Sequence, residues 1–216
     1  MKKSVIFVSA VVSVVMAASL TGCGSSSVNK KEVAEEANAI IEEITSLNTK
    51  KMQKRDAYDE DNLDVLKTFK TCRDFTIVWD HAEIEVDEES VESKKGKITC
   101  AATVVVPDYN SASDDFWDEY STSDFDDINE CYDAFEEFVN EIKLKKYMSI
   151  DTTVELEKDG EEYILVNGDD LVEDLMGDYI DQYEEEKKEA EQQQSRIKEH
   201  NDAINTVTAE IDNILG

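Results

Sequence analysis

His81 is the residue whose type and surroundings best suit acid–base chemistry. It directly follows Asp80 and lies two residues before Glu83. An imidazole beside a carboxylate is the minimum for proton transfer near neutral pH. Neighbouring residues of a strand point to opposite faces, so Asp80 and His81 converge only where a β-bulge re-aims one of them. We therefore favour a surface or hydrogen-bonded structural histidine and keep catalysis by His81 and Asp80 as the alternative.

A run of carboxylates offers a second kind of chemistry. Within seventeen residues the chain carries Asp114, Asp115, Asp118, Glu119, Asp124, Asp126, Asp127 and Glu130. Hard oxygen ligands suit calcium, and the candidate ligands are Asp114, Asp115, Asp118 and Glu119. The run lacks EF-hand spacing, and a carboxylate run in an acidic chain is usually a solvated surface. We therefore expect a solvated loop, with no bound metal or other cofactor.

Aromatic residues supply candidates for a binding site. They are Trp79, Tyr109, Trp117 and Tyr120. The last three belong to a segment, 108–123, whose polar character predicts a loop. Aromatic side chains there either form a lip around a pocket or fold back to hold the loop in place, and we favour the second. Zinc-protease, phosphate-loop, nucleophile-elbow and paired Cys-x-x-Cys signatures are absent from the sequence.

Hydrophobic periodicity predicts the elements that position these residues. Apolar residues at spacings of three and four predict helices over 31–54, 62–71 (N-cap Asn62), about 123–145 (N-cap Ser123 or Asp124) and from Asp170, with Glu173 as its capping-box partner. Period-two alternation predicts strands over 75–79, 84–86, 97–106, 148–156 and 163–166. The inward positions change from odd (Phe75, Ile77, Trp79) to even (Ile84, Val86), which places the β-bulge within 80–83.

The last part of the chain, 181–216, is charged and contains no proline, nor any glycine before Gly216. It predicts a continuous helix of roughly 50 Å. Ile197, Ile204 and Ile211 repeat every seven residues, and Val207 and Ile214 add a companion seam, which is typical of a coiled coil. A second copy of the chain or another protein helix is the expected partner.

The N-terminus has the layout of an export signal. Two lysines precede an uncharged run over 5–20, which ends in Leu20-Thr21-Gly22-Cys23. This run is too short for a typical membrane span. The layout resembles a bacterial lipoprotein signal peptide with its lipobox. The resemblance implies a signal peptide over 1–22, palmitate and diacylglycerol on Cys23, and a flexible linker over 23–30. An ordinary secretory signal is the alternative.

Composition limits the partners. The chain has 22 basic and 52 acidic residues and a net charge of −30, so nucleic acid and anionic lipid headgroups are excluded as partners. A hydrophobic content of 40% still allows one real core. Besides Cys23 there are three cysteines, Cys72, Cys100 and Cys131, which we expect to be small buried hydrophobic residues. Their disulfide state stays open.

The order of elements resembles a known fold. Thr103–Asp108 closes one strand and residues 154–163, with Asp159-Gly160 as a hairpin turn, close another. The span from Glu32 to Tyr179 is similar to the nuclear transport factor 2-like domains of bacterial lipoproteins, although Tyr163-Ile164-Leu165 stands where those domains usually have Trp-Lys-Ile. The resemblance implies an α+β domain over 31–180, in which helices pack on a bent antiparallel sheet shaped like a cystatin-like cone. Some proteins with this cone are isomerases or dehydratases.

The sequence therefore favours a lipid-anchored protein on the outer face of the cytoplasmic membrane. In the leading hypothesis it is a non-enzymatic binding or protein-interaction module. The alternative is a small pocket enzyme or ligand carrier that uses the cavity of the cone near His81.

Overall fold

The computed structural model describes residues 28–141 and 146–215, with side chains up to residue 198. The helices are α1 (Lys30–Thr45), α2 (Thr49–Met52), α3 (Glu60–Phe69), α4 (Arg73–Trp79), α5 (Tyr109–Glu119), α6 (Ile128–Asn140) and α7 (Gly168–Leu215). The strands are β1 (Glu83–Val86), β2 (Glu92–Lys94), β3 (Lys97–Pro107), β4 (Tyr147–Asp159) and β5 (Glu162–Leu165). Two 3₁₀ helices cover Glu88–Ser90 and Thr122–Asp124.

The α+β class is confirmed. The strands form a curled antiparallel half-barrel in the order β1-β3-β4-β5, and β2 pairs with β3 beside β1. The inner face of β3 is buried as its alternation predicts, and consists of Ile98, Cys100, Ala102, Val104 and Val106. Val154 and Leu156 of β4 continue this face, while α1, α4 and α7 cover it. The opposite face, with residues such as Thr103 and Asp151, remains polar.

The strand predicted over 75–79 is wrong, because these residues form helix α4. Phe75, Val78 and Trp79 are all buried, and spacings of three and four bring them to one side of a helix. Ile77 is buried as well, whereas Arg73, Asp74 and Thr76 are only partly buried. Ile77 lies two residues from both Phe75 and Trp79, so this short segment fits strand alternation as well as helical spacing, which explains why alternation misled the prediction.

The β-bulge predicted over 80–83 is also wrong, because the residues before it form helix α4 rather than a strand. The irregularity in strand pairing lies between β1 and β2 instead. Val86 and Glu92 are six residues apart, but their partners on β3, Ala102 and Thr99, are only three apart. The additional residues form the 3₁₀ helix between β1 and β2. Its Ser90 hydroxyl accepts the backbone N–H of Ala101 at 2.8 Å, so that group of β3 is satisfied without a strand partner.

The helix predicted over 31–54 ends earlier, at Thr45. Leu47 adopts a positive φ of 51° while its side chain is buried, and this left-handed residue ends α1. Helix α3 also begins earlier than predicted, with Asp59 rather than Asn62 at its N-cap position.

The segment predicted as a loop over 108–123 contains helix α5. The Asp108 side chain accepts hydrogen bonds from the backbone of Asn110 and Ser111 at the start of this helix. Helix α6 begins after Asp127, rather than after Ser123 or Asp124, and the Asp127 side chain accepts the backbone N–H groups of the next turn. Asp108, before the acidic run, and Asp127, within it, thus serve as helix caps.

Helix α7 begins two residues before the predicted capping box at Asp170. Asn167 fixes this corner, because its side-chain oxygen accepts the Glu155 backbone N–H and its amide donates to the Thr153 carbonyl, each at 2.8 Å. From Gly168 the helix continues without a break to Leu215. The predicted boundary near residue 180 therefore divides one continuous helix.

Candidate functional site

Two adjoining hollows lie along α7. The first, called the acidic groove, has a volume of about 700 Å³, and its lining includes Asp59, Asp169, Glu173, Asp174, Asp178, Asp181 and Glu184. The second, called the aromatic pocket, has a volume of about 380 Å³ and is lined mainly by Phe69, Phe75, Tyr109, Tyr179 and Tyr183. Asn110 and Tyr179 line both hollows, which therefore meet at the start of α5.

Four helices supply the walls of the aromatic pocket. The ring of Phe75 lies at their centre, with its centroid 4.9 Å from Phe69, 5.4 Å from Tyr109 and 5.5 Å from Tyr179. Tyr183 meets Phe69 edge to face, with centroids 5.8 Å apart. Aromatic pairs at such distances each contribute about 1 kcal/mol beyond the area they bury. The pocket is therefore walled by mutually packed rings.

Two tyrosines of the pocket stay neutral. The hydroxyl of Tyr109 donates to Asp74 at 2.6 Å, and burial, reinforced by this carboxylate, raises the pKa of Tyr109. Burial also raises the pKa of Tyr179 to about 12. Both groups therefore act as phenols near neutral pH, able to donate a hydrogen bond but not to serve as bases.

The charges around both hollows have one sign. Neither hollow has a lysine, arginine or histidine among its lining residues. Some of the carboxylates also hold the fold together: Asp174 accepts a hydrogen bond from Thr152 at 2.5 Å, and Asp169 accepts one from Asn62 at 2.8 Å. An anionic ligand would meet only acidic or neutral groups at either hollow.

The start of α7 is held tightly against the segment before α3. A Cβ atom at Gly168 would lie 2.2 Å from the carbonyl oxygen of Ala57, so only glycine fits there. The Asp169 carboxylate, one residue on, accepts the Asp59 backbone N–H at 2.8 Å. The acidic groove begins at this junction.

A partly buried ion-pair network holds the same segment to α1. Arg55 donates to both carboxylate oxygens of Glu43, at 2.7 and 3.0 Å, and to Glu36 at 2.7 Å. The Glu43 side chain is only 8% exposed. Hydrogen bonding to Glu43 raises the pKa of Arg55 above its ordinary value despite burial. Bidentate geometry makes such a pair rigid, so the network fixes the chain that leads into α3.

His81 and Asp80 do not form a site. Both are exposed in the turn after α4, and neither lines the four hollows described in the structure. Trp79, named as a binding candidate, is 2% exposed and packs against Phe75 and Tyr179 behind the pocket wall. Of the four aromatic candidates only Tyr109 lines the aromatic pocket.

Trp117 and Tyr120 belong to a different aromatic cluster, centred on buried Phe116. The Phe116 ring lies 5.0 Å from Trp117, 4.8 Å from Tyr120 and 6.0 Å from Phe125. These contacts join α5 to the chain before α6, as expected for aromatic residues that fold back to hold a segment in place.

The candidate calcium ligands Asp114, Asp115, Asp118 and Glu119 lie on helix α5 rather than on a loop. Among the residues with described positions, no group of three or more His, Cys, Asp or Glu side chains is arranged to hold a metal ion. Asp114 lines the aromatic pocket instead.

The three cysteines within the described ranges are free thiols. Cys100 and Cys131 are buried as predicted, but Cys72 is exposed and lines the aromatic pocket, which corrects its prediction as a buried residue. Burial is the main factor that raises the pKa of all three. None of them is therefore an activated nucleophile.

The sequence interpretation missed four pocket residues, Phe69, Phe75, Tyr179 and Tyr183. One signal was present, because Tyr179 and Tyr183 are four residues apart and hence neighbours on one side of α7. Their meeting with Phe69 and Phe75 depends on how three helices pack, and a single sequence does not encode that in any local pattern.

Cys23, with Leu20, Thr21 and Gly22, lies outside the described residues, as do Ile142 to Lys145. No helix in the described part of the chain combines the length and apolarity that a membrane span requires. Comparison with known proteins gives no significant match to a protein-family model, a curated protein or a solved structure.

Proposed function

We propose that this chain is a lipid-anchored, extracytoplasmic interaction module that acts without catalysis, by presenting the second half of α7 to a partner helix. Its cone is proposed to belong to the nuclear transport factor 2-like group. The signal-peptide layout ending at Cys23 supports the anchor and the location on the outer face of the cytoplasmic membrane.

The exposed half of α7 is the observation that carries this proposal. Over 168–183 the helix packs on the domain, with Leu171, Val172 and Leu175 buried. Over 184–198 every side chain is exposed, including Ile197, which is 60% exposed. The helix from 184 to its end spans about 48 Å. A helix of this length with an apolar stripe is built to contact another helix.

The place where the chain enters the domain supports display of α7 away from the membrane. The Lys30 amino group donates to the Glu89 carbonyl at 3.0 Å, which puts the start of α1 beside the 3₁₀ helix that pairs with Ala101 of β3. Lys30 follows Cys23 by seven positions along the sequence, which a fully extended chain spans in at most about 25 Å. The anchored end of the domain therefore lies near the bilayer.

The direction of α7 completes this argument. Asp174 accepts a hydrogen bond from Thr152, which pairs with Ala102 of β3, next to Ala101. The Tyr179 hydroxyl donates to the sulfur of Met148 at 3.5 Å, and Met148 pairs with Val106, four residues farther towards the end of β3. Helix α7 thus advances away from the level at which α1 begins. Its exposed half continues in that direction, away from the tether.

The proposed partner is a second copy of the chain. Ile197, Ile204 and Ile211 repeat every seven residues within the helical stretch of α7, and Val207 and Ile214 add the companion positions. Two copies anchored in one membrane face would present these helices in parallel, so that the heptad positions of one copy meet the same positions of the other. Another protein's helix is the other outcome.

Nothing in the described residues favours the enzyme alternative near His81. His81 is exposed outside the hollows, and the three described cysteines have raised pKa values. The lining of the aromatic pocket includes Cys72, Asp114 and Glu186, but burial raises the pKa of the Cys72 thiol, so this thiol is not an activated nucleophile.

Sedimentation equilibrium on the purified chain tests the proposal. We expect a dimer for the parent, a monomer for Ile204→Asp with Ile211→Asp, and an unchanged dimer for the control Ala209→Asp, which lies off the repeat. A parent chain that stays monomeric at all accessible concentrations, and also binds no other helix in a crosslinking experiment on intact cells, would refute it. Mass spectrometry of Cys23 tests the anchor separately.

A further inference from the structure

The aromatic pocket combines aromatic rings with carboxylates, and the proposed association through α7 makes no use of either. We propose that it binds a small organic cation, a quaternary ammonium or an alkylated amine, against the rings of Tyr109, Tyr179 and Tyr183 that line it. The ligand class follows from the walls, the charges and the size of the pocket. It is independent of the proposed pairing of α7.

The walls favour a cation with an apolar surface. Phe69, Phe75 and the three tyrosines present aromatic rings, whose faces carry negative charge density. An alkylated ammonium spreads its charge over methyl groups, so it loses little hydration when it leaves water for such rings. Aromatic cages are the usual protein solution for this kind of ligand.

The charges exclude an anion and favour a cation over a neutral ligand. Asp114 and Glu186 line the pocket, and no basic side chain does. The Glu186 carboxylate accepts from Gln182 at 3.1 Å, and Gln182 in turn accepts from Asn110 at 3.4 Å. These two hydrogen bonds hold the Glu186 carboxylate at the rim of the pocket, between α5 and α7.

The acidic groove adds a longer-range effect. It opens into the pocket at Asn110 and Tyr179 and is lined by seven carboxylates without a basic residue. The whole chain has a net charge of −30. A surface of one sign next to a pocket raises the local concentration of the oppositely charged ligand and speeds its association.

The size of the pocket limits the ligand. A volume of about 380 Å³ lies at the lower end of the range for small-molecule sites. A choline-sized cation fits, whereas a folded partner or a long peptide does not. The hydroxyl protons of Tyr109 and Tyr179 are already donated to Asp74 and to the Met148 sulfur, so these residues offer the ligand their rings rather than a hydrogen bond.

The test uses choline chloride and its uncharged isostere, 3,3-dimethylbutan-1-ol, titrated into the purified full chain at about 0.15 M salt, where charges more than about 8 Å apart are screened. We expect saturable heat with choline, at least tenfold weaker binding of the alcohol, and an upfield shift of the choline N-methyl protons in NMR, caused by ring faces. No saturable binding of choline, or equal binding of the two probes, would overturn the proposal.

Matched variants place the site. We expect Tyr183→Leu to weaken choline binding about fivefold or more and Glu186→Gln about threefold. The controls are Tyr147→Leu, an exposed tyrosine on β4, and Glu191→Gln, an exposed glutamate on α7, and neither should change the affinity. If Tyr183→Leu fails to fold, the exposed Glu186 decides the outcome. An unchanged affinity in the folded pocket variants would place choline elsewhere and contradict the proposal, whatever the oligomeric state.

Discussion

The two halves of α7 share one helix but differ in what stabilises them. Residues 168–183 bury Leu171, Val172, Leu175 and Met176 against the sheet and neighbouring helices. Residues 184–198 bury no side chain, so this half depends on helix propensity and on its link to the packed half, where Gln182 donates to Glu186. Isolated helices are marginal in water, because most helix stability in proteins comes from packing. Under the proposed function, the second half would acquire its packing from a partner helix.

The largest predicted loss of unfolding free energy follows from a substitution in the packed half of α7. Leu175 is 2% exposed, so Leu175→Ala removes buried methyl groups and leaves a cavity. We expect a loss of about 3 to 4 kcal/mol in the free energy of unfolding. Urea denaturation monitored by circular dichroism measures it. A loss below about 1 kcal/mol would show that this half of α7 is not part of the core.

The second largest loss of stability is expected at the ion-pair network that joins Arg55 to Glu36 and Glu43 of α1. Arg55→Met leaves Glu43 nearly buried without its partner, and we expect a loss of about 3 kcal/mol in the same measurement. The control is the double variant Arg55→Met, Glu43→Leu, which removes both charges and should recover most of the loss. A double variant as unstable as the single one would indicate that packing, rather than an unpaired charge, causes the effect.

Alkaline pH tests the packing of Tyr179 in the first half. Burial raises the pKa of Tyr179 from 10.0 to about 12, so the folded state favours the neutral phenol. The resulting stability is fully present below pH 10 and is lost as pH rises towards 12. We expect Tyr179→Phe to lose less unfolding free energy over this interval than the parent, by up to about 2 kcal/mol. Tyr147→Phe, at an exposed tyrosine, should follow the parent profile.

The smallest predicted effect lies in the exposed half. Ile197 is 60% exposed, and Ile197→Ala should change the unfolding free energy of the monomer by less than about 0.5 kcal/mol at low protein concentration. The same variant should weaken dimerisation, measured by sedimentation. A large loss of monomer stability would mean that the exposed half folds back onto the domain.

How much the sequence predicted depends on how local the signal is. The inner face of β3 follows from strict alternation over ten residues, and the continuous C-terminal helix follows from composition, so both could be predicted. Helix α4 could not, because in a seven-residue segment the buried residues Phe75, Ile77, Val78 and Trp79 fit a period of two as well as a helical period. The prediction of a loop over 108–123 was wrong because Asp108 caps helix α5 rather than forming a turn.

The candidate site was less predictable than the fold. Tyr109 was named from its aromatic character, but Phe69, Phe75, Tyr179 and Tyr183 come from three other helices. Their convergence is set by tertiary packing, which also left His81 and Asp80 outside the hollows. Chemistry that is local in sequence, such as an imidazole beside a carboxylate, therefore pointed to residues that line none of the described hollows.

The distance of two labelled positions from the bilayer tests the account most directly. On the lipidated chain with Cys72→Ser, a donor fluorophore is attached through Glu89→Cys or through Glu191→Cys, and energy transfer to acceptors in the membrane is measured. Because Glu89 lies beside the start of α1 and residue 191 on the outgoing half of α7, we expect strong transfer from position 89 and weak transfer from position 191. Equal transfer, or stronger transfer from position 191, would contradict the display of α7 away from the membrane.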